Sequence, residues 1–192
     1  MRIIAGSLRG KKLKEFKGRD IRPTADRIRE ALFSMLLSRL GSLEGISVLD
    51  LFAGTGALGI EALSRGARSC TFVESNAASC RLLNENLAQC RLTQKSQVLH
   101  GDACTLAESG RLGGPFDLVF VDPPYATQLV ERVLDYFTRS GTAAADSLMV
   151  VEMDHRDPLP ALCPPLEHQL TRTYGRTSIH LIRVDRGQNA PA

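Results

Sequence analysis

The chain has 192 residues, of which 43% are hydrophobic and 23% charged, a composition typical of a soluble globular protein. Its longest apolar runs fall short of the roughly 18 residues of a membrane-spanning helix, and no hydrophobic signal segment opens it, so we expect a cytoplasmic protein. The net charge of +3 is unevenly distributed. Residues 1–29 hold ten Lys or Arg and three acidic residues, whereas the remainder holds 14 basic and 18 acidic ones. This asymmetry is typical of a nucleic-acid-binding protein, although a solvated charged face explains it equally well.

The cysteines and histidines lack the spacing of a metal centre. Five cysteines form no C-x-x-C pair, and the four histidines are equally scattered. No G-x-S-x-G nucleophile motif is present. We therefore expect reduced, mostly buried thiols, no metal and no thiol or serine nucleophile.

The N-terminal part of the chain differs from the rest in pattern. Residues 1–22 are basic and glycine-containing, and predict a small β-hairpin extension. Residues 23–40 follow with apolar side chains at helical spacing and predict a helix that packs on the body.

From residue 46 onward, apolar strands alternate with helices. The predicted strands are 46–51, 69–74, 96–99, 116–121 and 147–152, and the predicted helices are 57–65, 76–91, 103–110 and 127–138, with Asn76 as a candidate cap of its helix. Two further runs, 166–174 and 177–184, flank a Gly-Arg turn and predict an antiparallel hairpin. This pattern predicts an α/β, Rossmann-like fold: a seven-stranded, mostly parallel sheet with helices on both faces and an antiparallel C-terminal hairpin. We expect one domain over 1–184, with its core over 46–184, and a disordered tail over 185–192.

The stretch 46–59 indicates a nucleotide-like ligand. An apolar strand ends in Asp50, and Gly54-x-Gly56-x-x-Gly59 then leads into a helix, which fits a dinucleotide fingerprint, with Glu74 20 residues after Gly54. Asp50 would nevertheless repel a pyrophosphate by several kcal/mol at an effective dielectric of roughly 20. S-adenosylmethionine fits better because it carries an ammonium and a sulfonium and no phosphate. Asp50 would attract its methionine end, and Glu74 would accept hydrogen bonds from the ribose hydroxyls.

A second motif, Asp122-Pro123-Pro124-Tyr125, follows the fourth strand. Prolines stiffen the loop, which offers the Asp122 carboxylate and neighbouring carbonyls as acceptors and the Tyr125 ring for stacking. Such a loop suits a planar base with an exocyclic amine, whose hydrogens it would hold while the nitrogen attacks a methyl group. Asp102, at the end of the third strand, would hold the adenine of the cofactor or simply cap a helix.

These motifs resemble class I S-adenosylmethionine-dependent methyltransferases that act on amines. The resemblance is closer still to the bacterial 16S ribosomal RNA guanine-N2 methyltransferase D family. It is carried by 3–6, 9–13, 22–33, 50–56, 59–67, Glu74, 102–103, 122–125 and 174–175, and it spans roughly residues 2–184. The family implies methylation of guanine 966 of 16S rRNA, on the small ribosomal subunit, by a protein that we expect to be a monomer.

The resemblance also implies roles for individual residues. Asp122, Pro123 and Tyr125 would be catalytic. The cofactor would be held by Asp50, Phe52, Ala53, Gly54, Gly56, Glu74, Ser75, Asp102, Ala103 and Asp122. RNA phosphates would be held by Arg9, Lys11, Lys12, Arg22 and Arg27.

Three other hypotheses remain open at this point. The acceptor tetrapeptide also occurs in adenine-N6 methyltransferases that act on DNA or RNA, which usually carry a target-recognition region for which this chain has little length. A non-catalytic ribosome-assembly factor could retain the cofactor pocket. An NAD-dependent dehydrogenase fits the glycine pattern but not Asp50 or the proline-rich loop.

Overall fold

A computed structural model of the chain describes residues 1–16, 23–123 and 127–186. The helices of these residues are α1 (Pro23–Leu40), α2 (Ala57–Ser64), α3 (Ala77–Cys90), α4 (Ala103–Glu108) and α5 (Thr127–Arg139). The strands are β1 (Ser47–Asp50), β2 (Ser69–Glu74), β3 (Ser96–His100), β4 (Phe116–Val121), β5 (Ala143–Asp154), β6 (Leu166–Tyr174) and β7 (Thr177–Val184).

The strands form one seven-stranded sheet in the order β3-β2-β1-β4-β5-β7-β6. The pairs β2–β3, β1–β2, β1–β4 and β4–β5 are parallel, whereas β7 runs antiparallel to both β5 and β6. The predicted fold class is confirmed, including the C-terminal hairpin. The order reverses between β1 and β4, and such a switch point opens a crevice at the carboxyl ends of the strands.

The two faces of the sheet bury separate apolar clusters. One cluster joins α1, α2 and α3 to the sheet and contains Phe33, Phe72 and Phe120 at full burial. The other joins α4 and α5 to the opposite face and contains Phe137 and Val121. Because side chains alternate along a strand, consecutive residues of a strand belong to different clusters. This alternation fixes which side chains reach the crevice.

The N-terminal residues form a short basic arm, defined here as residues 1–16. A single antiparallel bridge joins Arg2 to Lys12, and the apolar side chains of Ile3 and Leu13 are buried. The Glu61 carboxylate of α2 accepts hydrogen bonds from the amides of Ile4 and Ala5, at 2.7 and 3.0 Å. The arm is therefore fastened to the helix that follows β1. The rest of the predicted extension, residues 17–22, lies outside the described residues.

Most predicted element boundaries agree closely with the structure. Asn76 caps α3 as its spacing indicates, accepting hydrogen bonds from the amides of Ala78 and Ser79. The prediction 147–152 covers only part of β5, which begins earlier at Ala143 across an irregular register with β4. The predicted tail begins with two residues that contact the body: the Asp185 amide donates to the Pro165 carbonyl, and Arg186 donates to the Phe137 carbonyl. Residues 187–192 lie outside the described residues.

Candidate active site

The two sequence motifs meet at the switch point of the sheet. Asp50, the last residue of β1, pairs in register with Phe120 of β4. Asp122 therefore lies two residues beyond Phe120, the last β4 residue that pairs with β1. Asp50 and Asp122 interact electrostatically across this crevice. Topology alone thus brings together the residues predicted to hold a cofactor and those predicted to hold a base.

The loop between β1 and α2 has the backbone that the glycine pattern predicts. Gly54 and Gly56 have positive φ angles of 54° and 87°, a region that other residues rarely adopt. A Cβ atom on Gly54 would meet no atom within 4 Å, so open space lies above it. A Cβ on Gly59 would instead lie 2.3 Å from the Phe72 ring, so the third glycine lets α2 pack tightly on β2.

Two acids hold this loop in place. The Glu74 carboxylate accepts from the amides of Gly54 (2.8 Å) and Asn76 (2.6 Å), one on each oxygen. The Asp50 carboxylate accepts from the Gly59 amide at 3.0 Å. Both acids thus have a structural role that sequence reasoning did not foresee. The ligand contacts predicted for them stay predictions, and each carboxylate oxygen retains a lone pair for them.

The acids at the crevice have perturbed pKa values. The pKa of Asp50 is raised to about 7: burial is the main cause, the negative charges of Asp122 and Glu74 add to it, and the Gly59 amide opposes it. Asp122 is exposed at the crevice, yet the surrounding protein removes enough water from its carboxyl to raise its pKa to about 6. A group of acids that disfavour one another's ionisation is stabilised by a positively charged ligand. The site therefore fits a ligand that carries an ammonium and a sulfonium.

The acceptor loop is described as far as Pro123, which is half-buried. Pro124 and the predicted catalytic Tyr125 lie outside the described residues. The placement of Asp122 immediately after β4 and beside β1 agrees with the position that the sequence indicates.

Glu152 is an acid of the site that the sequence analysis missed. It follows Val151, which pairs with Val121, so Glu152 lies next to Asp122 on the neighbouring strand β5. It is half-buried, and loss of water around its carboxyl together with the charge of Asp122 raises its pKa to about 8. The signal was present in the alternation of β5: Leu148 and Val150 face the α1 side, and an acid two positions further falls on the same face.

The remaining predicted cofactor residues surround the loop and the end of β3. Asp102 caps α4: its carboxylate accepts from the Thr105 amide at 2.8 Å, and this hydrogen bond is the main reason that its pKa is lowered. The capping interpretation is thus confirmed, while its adenine contact stays a prediction. Ala103 is buried under α4, Ala53 is buried in the glycine loop, Phe52 is half-buried and Ser75 is exposed.

The predicted RNA-binding residues are spread over the arm and α1. Arg9, Lys12 and Arg27 are exposed. Lys11 is half-buried, and its ammonium donates to the Gln89 carbonyl of α3. Arg22 lies outside the described residues.

The described residues contain no group of three or more His, Cys, Asp or Glu side chains arranged to hold a metal ion. No helix in the described part of the chain has the length and apolarity needed to cross a membrane.

Comparison with known proteins adds independent findings. The model of the family described as "Conserved hypothetical protein 95" matches residues 1–183. The "Putative rRNA methyltransferase YlbH" of Bacillus subtilis is 35% identical over 95% of this chain and 98% of its own length. The "Ribosomal RNA small subunit methyltransferase D" of Escherichia coli K12 is 37% identical over 84% of this chain and 79% of its own. The solved structure of the "Putative methyltransferase yhhF from Escherichia coli" superposes with a TM-score of 0.85 at 31% identity, covering 97% of this chain and 99% of that one.

Proposed function

The chain belongs to the conserved hypothetical protein 95 family and is 37% identical to a ribosomal RNA small subunit methyltransferase D, and from this premise we propose that it methylates ribosomal RNA. Its cofactor is S-adenosylmethionine, which supplies, when bound, a methyl group on a positively charged sulfur. The finer proposal is transfer to the exocyclic N2 amine of guanine 966 in 16S rRNA of the small subunit. One observation carries it: β1 and β4 are paired neighbours, so Asp122-Pro123 after β4 and the glycine loop after Asp50 leave the sheet at the same edge.

Three groups of this chain would hold the cofactor. The open space above Gly54 admits a ligand close to the backbone, and Asp50 supplies negative charge below it. Glu74, fixed by the Gly54 and Asn76 amides, is oriented to accept from a ribose. This donor set agrees with a cationic, phosphate-free ligand and disfavours a pyrophosphate.

The Asp122 carboxylate and the carbonyls of Asp122 and Pro123 would act on the base. Accepting the amine hydrogens makes the nitrogen lone pair available for attack and fixes its direction. As the new carbon–nitrogen bond forms, positive charge develops on the nitrogen, which the Asp122 carboxylate stabilises before it takes the released proton. With a pKa of about 6, Asp122 is ionised at neutral pH and close enough in basicity to pass that proton to water.

The charge state of Asp122 also favours guanine over adenine. A carboxylate accepts from N1–H and N2–H₂ of guanine together, whereas N1 of adenine is itself an acceptor and would repel it. The base must leave its stack to reach this pocket, as other base-modifying enzymes require. The exposed basic residues Arg9, Lys12 and Arg27 would then bind the RNA phosphates around it.

The deciding experiment is a transfer assay with tritiated methyl groups, followed by digestion of the products to nucleosides. The acceptors are small subunits that lack the mark, naked 16S RNA and adenine-rich duplex DNA. N2-methylguanosine from the subunits or the RNA, mapped to position 966, is the expected product. N6-methyladenine as the product would contradict the assignment of guanine as the substrate base, but it would still agree with S-adenosylmethionine as the cofactor. Cofactor binding without any transfer would favour the assembly-factor hypothesis.

A further inference from the structure

Asn86 occupies an unusual position in helix α3. It lies on the apolar face that contains Leu83, Leu87 and Cys90, and its side chain is fully buried. Burial of a side-chain amide is costly unless its donors and acceptor are hydrogen-bonded, so the partners of this side chain indicate its role.

The side chain of Asn86 joins two segments that are far apart in sequence. Its Oδ1 accepts from the Lys14 amide at 2.7 Å. Its Nδ2 donates to the Lys14 carbonyl at 3.1 Å and to the Thr55 carbonyl at 3.0 Å. Thr55 lies between the two positive-φ glycines of the cofactor loop, and Lys14 lies in the basic arm. One side chain therefore fastens the loop and the arm to the same point of α3.

The loop has few other supports on this side. Gly56 donates back to Ala53 within the turn, and Glu74 holds Gly54 from the β2 side. Leu83 packs beneath Gly56, close enough that a Cβ there would lie 2.4 Å from its methyl group. The Asn86 amide is the polar contact from α3 that fixes the Thr55 peptide plane, and hence the conformation between the two glycines.

We propose that Asn86 is a positioning residue for the cofactor loop and that the basic arm, through the Lys14 backbone, holds Asn86 in the orientation that this role requires. The inference rests on the proposed function to the extent that the loop binds the cofactor. It assigns the arm a part in cofactor binding although no arm residue needs to reach the ligand. RNA contacts on the arm and cofactor binding at the loop then share one structural connection.

The most direct test substitutes a residue of the arm and measures cofactor binding at the loop. Lys14→Pro removes the amide that donates to Asn86, because proline has no N–H, and leaves every residue of the loop and of α3 intact. Lys14→Ala is the matched control, since it removes only an exposed side chain whose ammonium pairs with Glu85 at 2.8 Å. We expect Lys14→Pro to raise the Kd for S-adenosylmethionine by about tenfold, and Lys14→Ala by less than about twofold.

Variants on α3 separate Asn86 from its neighbours. Asn86→Ala should weaken cofactor binding at least as much as Lys14→Pro. Asn84→Ala, two residues away, removes only a hydrogen bond to the Cys80 carbonyl within the helix and should leave the Kd unchanged. Gln89→Ala removes another contact between α3 and the arm, to the Lys12 carbonyl at 2.8 Å, without touching the loop, and should also leave it unchanged.

A second readout needs no ligand. Amide hydrogen exchange at Gly54 and Gly56 should accelerate in Lys14→Pro and not in Lys14→Ala, since Asn86 loses a hydrogen bond that orients it toward the Thr55 carbonyl. Unchanged exchange and unchanged Kd in Lys14→Pro would overturn the inference, as would an equal effect of Gln89→Ala. A wild-type chain that binds no S-adenosylmethionine would instead overturn the proposed function, and the exchange experiment would still decide the role of Asn86.

Discussion

The two sides of the crevice use acidic residues in opposite ways. At the ends of β1, β2 and β3, the acids Asp50, Glu74 and Asp102 accept hydrogen bonds from backbone amides and thereby shape loops. At the ends of β4 and β5, loss of water around the carboxyl groups raises the pKa values of Asp122 and Glu152, and the charge of Asp122 raises that of Glu152 further. The acids of the first side fix the loops that we propose to hold the cofactor, and the second side holds the acid that we propose to take up a proton. A site that must bind one reactant and change the charge of another benefits from this division.

The largest expected effect concerns Glu61, which anchors the N-terminal arm to α2 on the β1–β3 side of the crevice. Glu61 is buried, binds two amides of the arm and pairs with Arg65 at 2.8 Å. Glu61→Ala leaves these partners unsatisfied, so we expect the free energy of unfolding in urea to fall by about 3–5 kcal/mol. Glu85→Ala is the control, because its exposed pair with Lys14 should contribute less than about 1 kcal/mol. Equal losses in the two variants would show that the arm is not anchored through Glu61.

The next largest effect concerns the rate of methyl transfer and tests Asp122, on the β4–β5 side of the crevice. Asp122→Asn keeps the size of the side chain and removes its charge, so kcat/KM for methyl transfer should fall by about 10²–10³-fold. The Kd for S-adenosylmethionine, measured by isothermal titration calorimetry, should rise by less than about tenfold, because Asp50, Glu74 and the glycine loop remain and only the Asp122 charge is lost. A rise in this Kd as large as the fall in kcat/KM would mean that Asp122 acts mainly by binding the cofactor, and that the two sides of the crevice do not have separate roles.

The pH dependence of stability tests the coupled pair of acids. The folded-state pKa of Glu152, about 8, lies above the ordinary value of 4.5, so the folded state binds more protons between these values. Its contribution to stability is complete below about pH 4.5 and is lost as the pH rises through about 8.

A permanently neutral side chain removes this loss. Glu152→Gln should therefore gain stability relative to the wild type as the pH rises from 5 to 9, and thermal unfolding at several pH values measures the difference. Glu167→Gln, an exposed position on β6, is the matched control and should show no such trend. A constant difference between wild type and Glu152→Gln would contradict the assigned burial and coupling.

The smallest effect concerns Asp50. A cationic ligand favours its ionised form, so binding should lower its pKa from about 7 and release protons below that pH. We expect the affinity for S-adenosylmethionine to rise by less than about tenfold between pH 6 and pH 8. Calorimetry at pH 6.5 in buffers of different ionisation enthalpy should detect the released protons. Proton uptake on binding would be the opposite of this expectation.

Much of the fold and part of the site follow from local sequence. The alternation of apolar runs and helical patterns predicted each strand of the sheet, and the glycines at 54 and 56 predicted the turn that joins β1 to α2. These features depend on residues close in sequence, whose backbone preferences act locally. Asn76 was predicted as a helix cap for the same reason and is one.

What the sequence by itself determined is therefore the order and type of the elements and the chemistry of the two motifs. Only the tertiary structure decided that Glu152 lies beside Asp122, because this depends on the register between two strands that are 30 residues apart. It also decided that Asn86 joins the arm to the glycine loop across 72 and 31 residues, and that Glu61 fastens that arm to α2. Such contacts arise from packing between distant segments, and a pattern of neighbouring residues carries no record of which buried polar groups will meet.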